Sequence, residues 1–330
     1  MKLDVLTIGS SVRDMYIRSS HFERVKDVHA PDGWDTCFPM GAKIDVDQFS
    51  TETGGGATNA ATTFAQWGYE TACITRVGKD VAGGDILRDL HYRKIHTEYI
   101  QQDAKELTAH SMILVAGTGS RSILVYRGAS EHLSMTVVPW KKIQTKWIYL
   151  SSLGGDLSAL KIIFREAHRM HARIAWNPGS HELRFGIKKL APFLAQTDVL
   201  ILNREEGAML SACSPNHLDR ILDAIGDFPR SALVLTDGAF GAYVYSRGGL
   251  WHTPAEKGKI INTTGAGDAF GSGFVGSLLS SDDLSQALKY GTANAHGVVT
   301  HMGAKAGILS KPPSKLTCAG IKIRTITNIA

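Results

Sequence analysis

The residues best suited to chemistry lie in one glycine-rich segment, residues 262–270, which reads NTTGAGDAF. Glycine and alanine let the backbone approach a ligand closely, and the apolar run that follows predicts a helix. The backbone N–H groups of Gly265, Ala266 and Gly267 would point outward at the start of that helix, where phosphate binds readily. Asp268, a carboxylate beside such a site, could take a proton from an attacking hydroxyl. It could equally be a first-turn acidic residue that the helix dipole favours, and the segment alone leaves both interpretations open.

A second glycine cluster, Gly54-Gly55-Gly56, opens another helix of small residues. Such a run suits either a hinge or a close backbone approach to a ligand. Asn59 would project from the first turn of this helix, where its amide could hydrogen-bond a sugar hydroxyl. The alternative is a flexible loop before an ordinary helix, and the cluster taken alone favours that plainer interpretation.

The sequence gives no support for three common kinds of binding site: a dinucleotide-binding motif, a P-loop and a histidine metal site. Residues 271–276 match G-x-G-x-x-G but lie inside a helical run, so we interpret them as small residues at a helix packing surface. The sequence has no G-x-x-x-x-G-K-[ST] segment, so any ATP would not be held by a P-loop. His168 and His171 share a helix face without acidic neighbours, which argues against a metal site there.

Composition narrows the class of protein. The 330 residues include 36 basic and 31 acidic side chains, a formal net charge of +5 that is spread along the chain. Without a clustered basic face, neither nucleic-acid binding nor membrane binding is favoured. The four cysteines form no C-x-x-C pair, and the opening residues are too polar for a signal peptide. We therefore expect a reduced, cytoplasmic protein.

Short apolar runs alternate with helix-period segments along most of the chain. Each run is brief, apolar and followed by polar or glycine-rich residues, which predicts buried parallel strands. We expect strands at 3–9, 71–77, 147–151, 173–176, 199–202 and 232–236, and helices at 58–67, 84–93, 157–170, 205–211, 268–279 and 284–299. This alternation predicts an α/β fold with a doubly wound, mostly parallel sheet.

Two stretches interrupt that alternation. Residues of about 13–50 and 97–130 carry period-2 patterns, including 42–47, 111–115 and 122–126. We expect them to form a small β-sheet that stands off the main body as a lid, through which two chains could form a homodimer. The chain is otherwise expected to be a single domain, 1–330, with a further strand after Cys318.

The two glycine segments, in this order and about 200 residues apart, resemble the signatures of the ribokinase-like (PfkB) carbohydrate kinase family. The resemblance extends over nearly the whole chain, and the matching motifs follow the family's order. They are Ile8-Gly9-Ser10 with Asp14, Gly54 to Asn59, Arg76 to Asp80 with Gly84, Arg121 to Ala129, Asn177-Pro178-Gly179, Asn203 to Glu206, Thr236 to Gly241, and Gly265 to Asp268.

The resemblance implies an ATP-dependent kinase that uses Mg²⁺. Asp268 would be the base, and the N–H groups of residues 265–267 would form the anion hole. Glu206 would organise Mg²⁺, which keeps much of its hydration shell. The nucleotide would be bound by Asn177, Asn203, Thr236, Gly238, Gly241 and Asn294, and the acceptor by Asp14, Gly55, Gly56 and Asn59.

Two positions depart from the family's pattern. Asn262 stands where the family often has an Asp that helps form a monovalent-cation site, which argues against potassium activation. Gly56 stands where ribokinases carry a sugar-contacting lysine, which argues against a strict ribokinase.

The acceptor itself stays open. A furanose-type sugar or a related polyol leads, and a nucleoside is the nearest alternative because the aromatic residues of 34–49 could contact its base. A sugar phosphate is less favoured, since no extra basic cluster stands out. A non-catalytic, ligand-binding relative of a kinase is the alternative from another class, although Asp268 and the residues of the anion hole are all present.

Overall fold

The computed structural model describes residues 2–29, 33–116 and 121–327. Within them, nine strands form one large sheet with the order β17-β16-β15-β14-β13-β12-β11-β1-β6. These strands are β1 Lys2–Ile8, β6 Thr71–Ile74, β11 Gln144–Leu150, β12 Arg173–Trp176, β13 Val199–Asn203, β14 Ala232–Thr236, β15 Ala242–Ser246, β16 Gly249–Thr253 and β17 Arg324–Ile326. The pairs from β6 to β14 are parallel, whereas β15, β16 and β17 add antiparallel strands at one edge.

Ten α-helices are assigned in the described part of the chain. They are α1 Gly56–Gln66, α2 Val81–Tyr92, α3 Leu157–Met170, α4 Ser180–Leu183, α5 Gly186–Leu194, α6 Arg204–Ser211, α7 Leu218–Ile225, α8 Ala266–Leu278, α9 Leu284–Val299 and α10 Lys315–Gly320. Most connect one parallel strand to the next, as crossover helices must.

Alternate residues of each central strand face opposite sides of the sheet. On β13, Leu200 and Leu202 pack in one core with side chains of α3, α5, α6 and α7. Val199 and Ile201 pack in the other core with α1, α8 and α9. Helices therefore cover both faces, and the predicted doubly wound, mostly parallel α/β fold is confirmed.

The smaller sheet has the order β10-β9-β2-β5, with β2 Val12–Ser19, β5 Gln48–Gly54, β9 His110–Ala116 and β10 Arg121–Tyr126. We call this sheet the lid. Two short ribbons accompany it, β3 Glu23–Lys26 with β4 Trp34–Cys37, and β7 Arg76–Gly78 with β8 Gln101–Asp103. The lid therefore takes its strands from the two stretches whose period-2 patterns predicted it, and the late strand after Cys318 is present as β17.

Two sequence predictions were wrong in detail. The alternating stretch 42–47 is not a strand, and nearly all of it is exposed, because its few apolar side chains have no second layer to pack against. The predicted strand 71–77 divides into two, since β6 joins the large sheet while β7 pairs with β8.

The predicted cytoplasmic location stays a prediction. Cys37, Cys73, Cys213 and Cys318 are all free thiols. In the described ranges we find no helix with the length and apolar character that crossing a bilayer would require.

The start of α8 has a tight packing constraint. Gly265 adopts a left-handed conformation, with φ of 81°. A Cβ atom added there would lie 2.5 Å from the Cβ of Ala304, closer than real contacts allow. Gly267, two residues further on, has open space where a Cβ would stand. Packing therefore excludes a side chain at Gly265 but not at Gly267.

We predict that Gly265→Ala lowers the free energy of unfolding by about 2 kcal/mol or more, because it combines left-handed strain with a clash. Gly267→Ala, the matched control, should leave stability unchanged or raise it by up to ~1 kcal/mol, since Ala suits a helix better than Gly. Urea denaturation of both variants measures the difference. Equal losses in the two variants would contradict the packing argument.

Candidate active site

A cleft of about 180 Å³ lies where the parallel strands end. Asn177 follows β12, Asn203 ends β13 and Thr236 ends β14. The carboxyl ends of parallel strands lie along one edge of a sheet, so these side chains meet there. The cleft is lined by Asn177, Ile201, Leu202, Asn203, Glu206, Thr236, Gly265, Gly267 and Asp268.

Asp268 stands in the first turn of α8, at the inner end of this cleft. Its Oδ2 accepts a hydrogen bond of 2.8 Å from Nδ2 of Asn59 on α1. Burial raises the pKa of Asp268, while the Asn59 hydrogen bond and the positive charge of Lys305 lower it. The carboxyl group is therefore partly buried and oriented, and its pKa is shifted toward the range in which a general base works well.

Asn59 lies near the start of α1, as the sequence predicted, and its side chain reaches α8. Its amide nitrogen orients the carboxylate of Asp268. Its Oδ1 is buried, and no donor among the described residues reaches it. Because a buried carbonyl oxygen normally has a partner, this atom is a candidate acceptor for a ligand hydroxyl.

The loop before α8, which the sequence predicts to bind an anion, brings two of its three predicted residues to the cleft. Gly265 and Gly267 line the cleft, but Ala266 does not. The N–H of Ala266 instead donates to the carbonyl of Thr263 at 3.3 Å. The backbone groups of Gly265 and Gly267 are thus the ones available to an anion.

Asn203 and Glu206 form a reciprocal capping box at the start of α6. The Glu206 N–H donates to Oδ1 of Asn203, and the Asn203 N–H donates to Oε2 of Glu206, both at 2.8 Å. Burial raises the pKa of Glu206, and repulsion by Asp268 adds to the rise. The helix cap therefore fixes a partly buried carboxylate on the wall of the cleft.

Asn177 is also held by the sheet. Its Nδ2 donates to the carbonyl of Ile201 at 2.8 Å. This bond joins the end of β12 to β13 and leaves the amide at the cleft wall, as the sequence predicted.

The predicted nucleotide turn follows β14. Thr236 lines the cleft, Gly238 is exposed and Gly241 has φ of 98°. Asp237 between them is paired with the guanidinium of Arg204 at 2.8 Å. That ion pair neutralises the one residue of the turn whose charge would repel a nucleotide.

Asn294 does not face the cleft, in contrast to the sequence expectation. It is fully buried, and its Nδ2 donates to Thr63 and to the carbonyl of Ala269. Its Oδ1 accepts from the N–H of Leu309. The amide joins α1, α8 and α9 to the C-terminal segment, and its hydrogen-bonding groups are taken up within the protein.

The acceptor side of the site lies between the lid and α1. Asp14 on β2 is 4% exposed. Burial raises its pKa to about 6, and repulsion by Asp268 and Glu52 contributes, while the Ser111 hydrogen bond and Lys305 oppose the rise. A Cβ on Gly55 would meet the carbonyl of Ser10 at 2.6 Å, and one on Gly56 would lie 3.5 Å from Oδ1 of Asp268.

The structure adds contacts that sequence reasoning missed. Arg121 of the lid donates to the hydroxyl of Thr263, so the lid touches the anion-binding loop. Lys305, outside every motif, acts electrostatically on both Asp14 and Asp268. No sequence signal marks Lys305, because its contacts join segments more than 200 residues apart.

The sequence of the chain is similar to that of a known protein family. The profile of the pfkB family carbohydrate kinases matches residues 5–311. A ribokinase from Haemophilus influenzae is 27% identical over 81% of this chain and 88% of its own length. An ATP-dependent ribose-1-phosphate kinase from Halopiger xanaduensis is 29% identical over 82% and 87%.

Solved structures agree on the fold. An Arabidopsis thaliana ribokinase complexed with ribose and ATP superposes with a TM-score of 0.78, covering 97% of this chain and 98% of its own at 20% identity. A Methanocaldococcus jannaschii nucleoside kinase gives 0.72, covering 93% and 95%, also at 20% identity. Since the family profile spans most of the sequence and the fold agrees, the chain belongs to the pfkB family of carbohydrate kinases, phosphotransferases that act on an alcohol group.

Proposed function

We propose that this kinase transfers the γ-phosphoryl group of ATP to a primary hydroxyl of a furanose-type sugar or related polyol. The observation that carries the proposal is the position of Asp268. Its carboxylate lies between Asn59, on the acceptor side, and the cleft lined by Gly265 and Gly267. A base and an anion-binding loop are thereby adjacent at one helix start.

The chemistry follows from that adjacency. Asp268 takes the proton of the acceptor hydroxyl as its oxygen bonds to the γ-phosphorus, and the bond from phosphorus to the bridging oxygen of ADP breaks. The products are a phosphate ester and ADP, and the proton leaves Asp268 for solvent. The N–H groups of Gly265 and Gly267, with the N-terminal end of the α8 dipole, stabilise charge on the transferred group.

The acceptor's other hydroxyls are assigned to Asp14 and Asn59. Asp14 is a buried carboxylate that can accept hydrogen bonds from hydroxyl groups, and the Oδ1 of Asn59 requires a donor. The backbone lies so close to Ser10 at Gly55, and to Ser151 at Gly56, that a Cβ atom would not fit at either position without a shift. A small polyhydroxylated molecule matches this set of acceptors.

The lid is assigned the exclusion of water. Arg121 on β10 already contacts Thr263 beside the anion-binding loop, which supports a lid that closes over the transferred group. Water that entered would compete as acceptor and consume ATP without product.

Mg²⁺ fits the residues of the cleft. Glu206 is a partly buried carboxylate whose pKa is raised by loss of hydration and by Asp268, so an added cation there would be favourable. The described residues contain no group of three or more His, Cys, Asp or Glu side chains able to hold a metal by themselves. That pattern suits Mg²⁺, which takes one or two carboxylates together with substrate phosphates and waters, and would neutralise phosphate charge. Asn203 would hold Glu206 in place.

A nucleoside acceptor is the second candidate, and one feature of the lid favours it. Asp14 is paired across the lid with Ser111, and Ser111 with Val125, so the three share one face. Ile113 and Ile123 lie on that same face, where Ile123 and Val125 are 46% and 56% exposed. A nucleobase could rest against these aliphatic side chains.

We predict that the protein phosphorylates one member of a panel of pentoses, hexoses and nucleosides with ATP and Mg²⁺. Asp268→Asn should lower kcat by about 10²-fold or more, as expected for removal of a general base. The exposed Asp223→Asn serves as the matched control and should keep full activity. Coupled detection of ADP and mass spectrometry of the product measure both points. Transfer to a nucleoside alone selects the second candidate, and ATP hydrolysis without any phosphorylated acceptor would favour a non-catalytic, ligand-binding protein.

We predict that K⁺ does not activate the enzyme. Asn262 is a neutral amide whose Nδ2 donates to Tyr16 and whose Oδ1 accepts from the Thr264 N–H, so it offers a cation no carboxylate. Replacing KCl by tetramethylammonium chloride at constant ionic strength should leave kcat unchanged. A severalfold rise with K⁺ would contradict this assignment.

We further propose that the lid pairs with a second copy of the chain. β10 is an edge strand, and Ile123, Leu124, Val125 and Tyr126 on it are 41–56% exposed. An edge strand with apolar side chains on both faces needs a cover, and an identical strand supplies matching hydrogen-bonding groups.

We predict a dimer in analytical ultracentrifugation at micromolar concentration. Leu124→Lys should give a monomer, because a lysine at an edge strand opposes pairing, and Leu124 lies on the face opposite to Asp14. Val137→Lys, at an exposed position outside the lid, should leave the dimer intact. A wild type that is still monomeric at ~100 μM would overturn the proposal, because a dimer that forms at micromolar concentration would be almost fully assembled there.

A further inference from the structure

Lys305 is a buried cation that no part of the proposed reaction uses. It follows α9 in the C-terminal segment, and its side chain is 4% exposed. Lysine is almost never buried unless it is paired. Its Nζ donates to Oδ2 of Asp89 on α2 and to the hydroxyl of Thr53 on β5, both at 2.9 Å.

These contacts form a small network. The hydroxyl of Thr53 also donates to Oδ2 of Asp89 at 2.6 Å, and Nε of Arg93 donates to Oδ1 of Asp89 at 2.8 Å. Thr53 directly precedes the glycine cluster at which α1 begins. The network therefore joins the end of a lid strand to α2 and to the C-terminal segment.

The residues just before Lys305 support the anion-binding loop. Ala304 is in contact with Gly265, so closely that no side chain fits between them. Gly303 packs beside Glu52 of the lid, where an added Cβ would lie 3.1 Å from its Cγ. Anchoring Lys305 thus fixes the segment behind Gly265 against the strand that leads to the acceptor residues.

The charge of Lys305 also reaches the two carboxylates of the site. It attracts both Asp14 and Asp268, which repel each other. The other groups around Asp14 are Ser111 and Glu52, and those around Asp268 are Asn59, Glu206 and Tyr149.

Around Lys305 itself the charges are Asp89 and Arg93, with Cys73 nearby. For both Asp14 and Asp268, Lys305 is the cation that opposes protonation. Coulombic effects of this kind persist in buried surroundings, where salt screens them little.

We propose that Lys305 is a positioning residue for phosphoryl transfer, which anchors the segment behind the anion-binding loop and supplies the positive charge shared by Asp14 and Asp268. This inference rests on the proposed kinase function. It assigns to a lysine outside every sequence motif a role in the same site.

The test compares the pH profile of kcat/KM in three variants. Lys305→Met removes the charge at similar length, Asp89→Asn removes the partner and keeps the lysine, and the double variant removes both charges. Lys311→Met, at an exposed position six residues on, is the control. Loss of the lysine should move the acidic limb upward by about one pH unit, so that a limb near pH 6 moves to near pH 7 and activity at pH 6 falls ~5-fold relative to activity at pH 8.

The double variant separates anchoring from electrostatics. Lys305→Met alone removes one of the two cations that pair with Asp89 and lowers the melting temperature, whereas the double variant should recover stability and keep the shifted limb. Asp89→Asn alone removes the charge that favours the protonated lysine, so it should lower the melting temperature as well. A wild-type profile in the folded double variant would overturn the role of Lys305. A wild type that phosphorylates no acceptor would instead overturn the proposed function.

Discussion

Three carboxylates, those of Asp14, Glu206 and Asp268, lie near one another, and the charge of Asp268 repels both of the others. The surrounding structure offsets the loss of their hydration. Burial is the largest influence on each of them and favours the protonated form. Every polar contact around them acts in the opposite direction: Ser111 on Asp14, the Asn203 N–H on Glu206 and Asn59 on Asp268. A site that binds phosphates and removes a proton needs these charges, so the fold has to solvate them itself.

The parallel sheet supplies much of that solvation through its topology. The parallel strands all end at one edge, so α6, which directly follows β13, begins there, and the loops after β5 and β16 bring the starts of α1 and α8 close to it. Helix starts carry free N–H groups and the positive end of the dipole. Asn203 and Glu206 have two roles at such a helix start, because they cap α6 through reciprocal hydrogen bonds and also line the cleft. Helix stability and site geometry are therefore set by the same hydrogen bonds.

The sequence predicted those features of the fold and the site that depend on neighbouring residues, and it missed those that depend on contacts between distant segments of the chain. The central strands and the helices that follow them are local patterns, and β12, β14, α3 and α9 have the predicted bounds. Asp268 and the glycines beside it could be found because a loop, a helix start and an acidic residue are contiguous. Asn294 could not be placed correctly, because its direction depends on packing among three helices. Lys305 was missed for the same reason, since only the folded chain brings it to Thr53 and Asp89.

The raised pKa of Asp14 makes the folding stability of the protein depend on pH. A group that binds protons more tightly in the folded state than in the unfolded state makes folding proton-linked. For Asp14 this interval runs from its ordinary value of 3.8 to about 6. Its contribution to stability is complete below that interval and is lost as pH rises through it. At neutral pH the ionised carboxyl group of Asp14 therefore makes folding less favourable than it is at acidic pH. A ligand that donates hydrogen bonds to this carboxylate would recover part of that lost free energy of folding as binding energy.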